Sequence, residues 1–203
     1  MNNRQLEVFA DISCPFTHVG LKKVVGELDH LEHEVDVVVR AWPLEWVNGE
    51  VFPPDVMRVK VDAIGGHLGA EYFAGFDEQT WPNTTLGALN LAAKAYEVGI
   101  TKGLAVSLAL REAVFEQGLD IGRPEVLAEI ASEFALEAPS SEASAAVTAD
   151  YEEGQRRSVK GSPEFWIDGQ AFFCPSLTIG HDDDGLTAEF DPSGIDTLLS
   201  ALR

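Results

Sequence analysis

The stretch Val8-Phe9-Ala10-Asp11-Ile12-Ser13-Cys14-Pro15-Phe16-Thr17-His18-Val19-Gly20 decides the fold. It reads as the end of a strand, a short turn and the first turns of a helix. Cys14 falls at the helix start and Pro15 follows it directly. Proline is tolerated there because the first helical N–H groups have no partner within the helix. Those N–H groups, with the positive end of the helix dipole, favour an anion. A thiolate is such an anion, so the position favours the nucleophilic form of a cysteine. The plainer reading is a small buried cysteine at a strand–helix junction. The stretch alone does not choose between the two.

Outward from it, Gln5–Ala10 alternates and is β-prone, which predicts a first strand. Val19, Leu21, Val24, Val25 and Leu28 recur at helical spacing and predict a helix from Cys14 to Leu28. Val35–Ala41 is rich in β-branched residues and predicts a central strand, parallel to the first in a right-handed βαβ unit. Trp42-Pro43 ends it, and Pro53-Pro54 punctuates the chain. Helical patterns then dominate from Asp55 to Leu136. One helix is expected to be capped by Asn83 or Thr84 and stopped at Gly99. A second covers Leu104–Phe115, and a third runs from Pro124 to Phe134. Ala88, Ala92, Ala93, Ala105 and Ala109 predict close helix packing. A further helix is expected to open at Pro139-Ser140-Ser141-Glu142 and run to Arg157. Glu164–Ile167 and Gln170–Phe173 flank Asp168-Gly169, the signal of a tight hairpin. Asp191-Pro192-Ser193-Gly194 begins a final helix.

Cys14-Pro15-Phe16-Thr17 resembles the active-site turn of the DsbA-like thioredoxin superfamily, whose pattern is Cys-Pro-x-Cys. Phe9-x-Asp11 and Gly20 are similar to its FrnE-like and 2-hydroxychromene-2-carboxylate isomerase branches. Val159-Lys160-Gly161-Ser162-Pro163-Glu164-Phe165 resembles the family's Gly-Val-Pro-x-Phe segment, whose proline is cis and faces the cysteine. The resemblance covers most of the chain in order. It implies an α/β, thioredoxin-like fold (βαβ … αββα) with a helical insertion domain. The thioredoxin-like domain is then residues 1–52 and 139–203, and the insertion 53–138. There is one departure: Thr17 stands where dithiol members carry their second cysteine.

The implied function is a thiol–disulfide oxidoreductase or disulfide isomerase acting through a single cysteine, Cys14. Thr17, three residues on, shares its helix face, and its hydroxyl is a candidate donor to the thiolate. Strand direction returns Cys174 to the same end of the sheet, about two strands or roughly 10 Å from Cys14. Direct bonding needs Cα atoms within about 7 Å. Cys174 is therefore a candidate resolving thiol or an apolar lining residue; an external thiol is the other resolver. Pro15, Phe16, His18, Ser162 and Pro163 are the candidate substrate-binding residues. A cis proline at Pro163 would leave free backbone groups facing Cys14, which in the family hold a disulfide-containing peptide or small thiol as an extra strand. His18, one turn after Cys14, reads either as a proton donor or as an exposed helix histidine. Arg156 and Arg157 read as carboxylate binders or as compensation for a helix dipole. Trp42 and Trp46 read as groove lining or core.

Two other functions fit the same residues. A kappa-type glutathione transferase or isomerase would stabilise a bound small thiol, with Cys14 replacing that branch's serine. A redox-inactive module would hold peptide at the Pro163 edge. No tightly bound cofactor is expected; glutathione or another low-molecular-weight thiol is the candidate co-reactant.

Composition narrows the partners. The 203 residues carry 34 acidic and 14 basic side chains, a net charge of −20. That argues against nucleic acid and anionic membranes. No apolar run of about 18 residues occurs, so no membrane span is expected. Met1–Leu6 has no apolar signal core, which predicts a cytoplasmic protein. Two cysteines are too few for a disulfide scaffold. The five histidines lack zinc-site spacing, and the run Asp182-Asp183-Asp184 reads as a solvated loop, not a metal site.

Overall fold

The computed structural model describes residues 4–28, 30–31, 33–182 and 185–203. The chain opens with β1 (Arg4–Ala10), α1 (Pro15–Leu28) and β2 (Val35–Ala41). Five helices follow: α2 (Leu44–Asn48), α3 (Pro54–Leu68), α4 (Leu86–Val98), α5 (Ile100–Phe115) and α6 (Pro124–Glu133). It closes with α7 (Ala145–Arg157), β3 (Glu164–Ile167), β4 (Gln170–Phe173), β5 (Leu177–Asp182), β6 (Gly185–Phe190) and α8 (Pro192–Leu202). The fold is α/β around a four-stranded sheet ordered β2-β1-β3-β4. β1 and β2 are parallel, with Val8 opposite Val39; β3 is antiparallel, with Phe165 opposite Val8. Asp168 and Gly169 take φ of 48° and 84°, the left-handed pair that a tight hairpin between β3 and β4 needs.

Alternation in β1 sends its side chains to two faces. Leu6 and Val8 pack with Leu21 and Val24 of α1 and Ile195 and Leu198 of α8. Phe9 turns the other way, onto Trp42 and Val159. A second large core, around Ile64, Leu91, Leu110, Phe115 and Leu127, joins α3 to α6 and receives Val19 from α1. Among the described residues no helix is long and apolar enough to cross a membrane.

Four local features differ from the sequence reading. α4 begins at Leu86, and Asn83 and Thr84 are not its N-cap; Thr85 holds that position without a side-chain cap because its hydroxyl turns to Asp11 and Glu45. α5 begins at Ile100, not Leu104, because Gly99 both ends α4 and starts α5. α7 begins at Ala145, not at residues 139–142. Asn90 holds that earlier segment as a loop: its amide donates to the Ser140 and Glu142 carbonyls, and Ser144 N–H donates back to it. The fourth is an addition. Leu177–Asp182 and Gly185–Phe190 form a separate two-stranded sheet that packs on α3 and buries Ala188 in the helical core. Asp182 ends β5, while Asp183 and Asp184 of the acidic run lie outside the described residues.

Candidate active site

β1 ends at Ala10 and delivers the chain to Asp11, a fully buried carboxylate. Its Oδ1 accepts from Ser13 N–H at 2.7 Å and Ser13 Oγ at 2.8 Å. Its Oδ2 accepts from Leu44 N–H at 2.8 Å and Thr85 Oγ1 at 3.0 Å. One side chain thus ties the cysteine turn to the starts of α2 and α4. Burial pushes the Asp11 carboxyl above the usual range, and these hydrogen bonds pull the other way.

The turn then meets the loop before β3. The Ser162–Pro163 peptide is cis. Asp11 N–H donates to Ser162 Oγ at 3.0 Å, and Thr17 Oγ1 lies 2.8 Å from the same oxygen. Cys14 Sγ donates to the Ser162 carbonyl at 3.0 Å. The Pro163 carbonyl accepts from Cys174 N–H at 3.0 Å. Residues far apart in sequence are therefore locked around one sulfur. A cleft of about 220 Å³ opens there, lined by Cys14, Pro15, Phe16, Ser162 and Cys174.

Several expectations for single residues change. Thr17 is fully buried and its hydroxyl binds Ser162 Oγ, not the Cys14 sulfur. Pro163 does not line the cleft, and its carbonyl is taken by Cys174; the backbone carbonyl facing Cys14 belongs to Ser162 and accepts from the Cys14 thiol. His18 is neither exposed nor in the cleft. It is 1% exposed, stacked on Phe115 with ring centres 5.0 Å apart, and its Nε2 bonds the Tyr72 carbonyl at 2.9 Å. Burial first, then the charges of Lys22 and Arg111, push its pKa down to about 3, so the ring is neutral. Arg156 and Arg157 pair with Glu153, and Arg157 also with Glu7, so both are occupied away from the cleft. Trp42 packs on Phe9 and Trp46 on Tyr151; neither lines the cleft.

Cys174 is brought to the cleft beside Cys14, and both thiols are free. It is 4% exposed and sits at φ 45°, ahead of a turn closed by Leu177 N–H on its carbonyl at 3.2 Å. Burial, helped by the neighbouring Cys14 charge, pushes its thiol up to about 12. Cys174 is thus protonated across the physiological range.

Lys60, not anticipated from the sequence, also lines this cleft. It sits one turn after Met57 on α3, so both reach the same face. Its Nζ lies 3.8 Å from the Phe52 ring centre. Burial holds its ammonium below the ordinary lysine range, against the pull of the Cys14 sulfur. Lys160 lines the cleft as well. The usable signal was helical spacing from Met57 to Lys60; what it lacked was the packing of α3 beside Cys14. Among the described residues no group of His, Cys, Asp and Glu could hold a metal ion.

A family model of the DSBA-like thioredoxin domain matches residues 5–181. The chain belongs to this family. No curated protein matches the sequence. Among solved structures, this DSBA-like protein is similar to a probable DsbA oxidoreductase from Streptomyces coelicolor at 19% identity, TM-score 0.64, covering 98% of this chain and 90% of that one. It is similar to the cytosolic disulfide reductase DsbM from Pseudomonas aeruginosa at 18% identity, TM-score 0.52, covering 98% of both. It also resembles 2-hydroxychromene-2-carboxylate isomerase at 16% identity, TM-score 0.57, covering 83% of this chain and 88% of that one. At these identities the likeness is one of fold. Within the DSBA-like fold, Cys14 and the Ser162–Pro163 loop meet at the end of the sheet where β1 stops.

Proposed function

We propose that this DSBA-like protein catalyses thiol–disulfide exchange through Cys14 alone, with an external small thiol as the resolving partner. The observation that carries this is the position of Cys14 directly ahead of α1, facing the cleft beside the cis Ser162–Pro163 loop, while Thr17 is not a thiol and Cys174 is held protonated. Cys14 gives up its proton and its thiolate attacks one sulfur of a substrate disulfide. A mixed disulfide forms, and the other sulfur leaves as a thiolate that takes a proton. A thiol of the glutathione class then attacks the Cys14 sulfur, releasing the substrate's second thiolate and leaving glutathione on Cys14; a second such thiol attacks that bond, restores Cys14 and departs as glutathione disulfide. The two electrons come from the external thiols, or return to the substrate when its own thiol resolves the bond, which is isomerisation. Lys60 and Lys160 place positive charge at a cleft in an otherwise acidic chain, which suits an anionic thiol. A solved structure of the DsbM neighbour with GSH, at TM-score 0.50, accords with that choice of partner.

The test is mass spectrometry of protein purified without reductant and then exposed to glutathione disulfide. A single adduct of one glutathione on Cys14, released by reduced glutathione and lost in Cys14→Ser, supports the reading. A second reading rests on Cys14 acting as a hydrogen-bond donor to Ser162, which suits a residue that holds a bound thiol, as in a glutathione-dependent isomerase. Persistent glutathione-dependent turnover in Cys14→Ser, with no covalent adduct on wild type, would replace the first reading by the second.

A further inference from the structure

We infer that the preferred substrate at the Cys14 cleft is a protein mixed disulfide: a cysteine in an extended, apolar-flanked segment, capped by a carboxylate-bearing small thiol. This rests on the reading that Cys14 acts alone, and adds what each sulfur of its substrate carries. The cleft itself is small, about 220 Å³. That lies below the about 300–1,000 Å³ that enclose a drug-sized ligand. It holds one arm of a disulfide and leaves the other outside.

The two arms meet different surroundings. Lys60 and Lys160 line the cleft, and no Asp or Glu does. Lys22 and Lys94 are paired with glutamates, whereas Lys60 and Lys160 form no ion pair among the described residues. In a chain of net charge −20, two unpaired ammonium groups beside the nucleophile suit the carboxylates of the inner arm. Val47 of α2, Phe173 of β4 and Ile179 of β5 also line the cleft, yet they are 43%, 50% and 38% exposed. Because they line it and stay exposed, they belong to its rim. Single exposed apolar residues are ordinary; three from separate elements around one nucleophile mark a contact surface. β4 is an edge of the four-stranded sheet, and Gln170, Ala171 and Phe173 on it are exposed. An extended segment can run along that edge and set apolar side chains on the rim.

Such a substrate also shortens the cycle. The Cys14 thiolate attacks the sulfur of the inner arm. The new Cys14–sulfur bond forms, the substrate disulfide breaks, and the protein's sulfur leaves as a thiolate that takes a proton. The small thiol already sits on Cys14, so one external thiol of the glutathione class completes the turnover. It attacks the small thiol's sulfur, frees Cys14 and departs in a small disulfide. The external sulfur is oxidised as the protein's sulfur is reduced.

The test uses the full chain, excess reduced glutathione and four disulfides, with each rate taken above that of Cys14→Ser. The first is glutathione disulfide. The second and third are short blocked peptides whose S-glutathionyl cysteine is flanked by Val and Leu or by Ser and Asn. The fourth is the Val/Leu peptide capped with cysteamine, a cationic thiol. kcat/KM for the S-glutathionyl Val/Leu peptide should exceed that of each other peptide by about tenfold or more. Before external thiol is added, the peptide should leave and glutathione should stay on Cys14. Val47→Ser and Ile179→Ser, both at exposed positions, should each bring the apolar-to-polar ratio toward one. Equal rates for the two flanks, no loss on changing glutathione for cysteamine, peptide retained on Cys14, or a ratio unmoved in both variants would each overturn the inference, with glutathione disulfide still exchanging at Cys14. No exchange with any of the four would instead remove the single-cysteine reading, and the inference with it.

Discussion

Cys14 and Cys174 line one cleft yet differ in chemistry. Thiolate is the reacting form of cysteine, and the Cys174 thiol is pushed up to about 12. Iodoacetamide on the native protein at pH 8 should therefore modify Cys14 and spare Cys174. Cys174 labelling should then climb about tenfold per pH unit until the pH nears its pKa. Peptide mass spectrometry reads both sites; comparable labelling at pH 8 would remove the distinction. Thr17→Cys is the complementary experiment. It deletes the bond to Ser162 Oγ, at a cost of about 0.5–1.5 kcal/mol. In return it places a second thiol three residues after Cys14. The variant should form an internal disulfide and reduce insulin with dithiol kinetics that wild type lacks. The place of Cys14 and Ser162 at one cleft was legible because each sits in a short motif. Lys60 and the buried state of His18 were not. Both depend on which helix packs against the cysteine turn, and a sequence window does not contain that neighbour.

α1 illustrates the difference at the scale of an element. Its apolar stripe of Leu21 and Val24 reads plainly and faces the sheet core. The opposite face, Val19 and His18, is also buried, because the helical block closes over it. His18 has Lys22 one turn along α1, Glu116 at the end of α5 with Nε2–Oε1 at 3.2 Å, and the buried Arg111 as its charged surroundings. Its folded pKa, near 3, lies below the unfolded 6.5. The unfolded chain then binds the proton first. Its contribution to stability is present above pH 6.5 and lost as pH falls towards 3, by at most about 1.4 kcal/mol per unit. Urea midpoints from pH 7 to 4 should fall more steeply for wild type than for His18→Gln; equal slopes would refute this. Gly103 in α5 is a second such joint. A Cβ there would sit 2.2 Å from the Tyr96 ring. That ring's hydroxyl accepts from Val39 N–H at 2.9 Å and donates to Val37 O at 3.2 Å, pinning α4 to β2. Gly103→Ala should cost about 1–3 kcal/mol in chemical denaturation. The glycine was visible in the sequence, but the ring against it was not.

Across the whole molecule a net charge of −20 surrounds a cleft that holds two lysines. Long-range repulsion of an anionic disulfide is screened by salt over about 8 Å at 0.15 M. Exchange with glutathione disulfide should speed up as salt rises, while exchange with the dicationic cystamine should slow. Lys60→Met should raise KM for the anionic substrate only. The order of strands and helices was legible because β propensity, helical spacing and turn residues agree along the chain. The β5–β6 pair was missed because Thr178, His181 and Asp182 in one strand and Thr187 and Glu189 in the other break up the apolar pattern of two six-residue strands. The closing of the cysteine turn has a further consequence during synthesis. Ser162, whose carbonyl receives the Cys14 thiol, comes 148 residues after it. At about 5–20 residues per second, a ribosome needs about 7–30 s to add that segment. For that time each nascent chain carries Cys14 without its partner loop, open to whatever oxidant the translating compartment contains. Synthesis of the Ser162 loop, not folding of the first βαβ unit, ends the vulnerable interval.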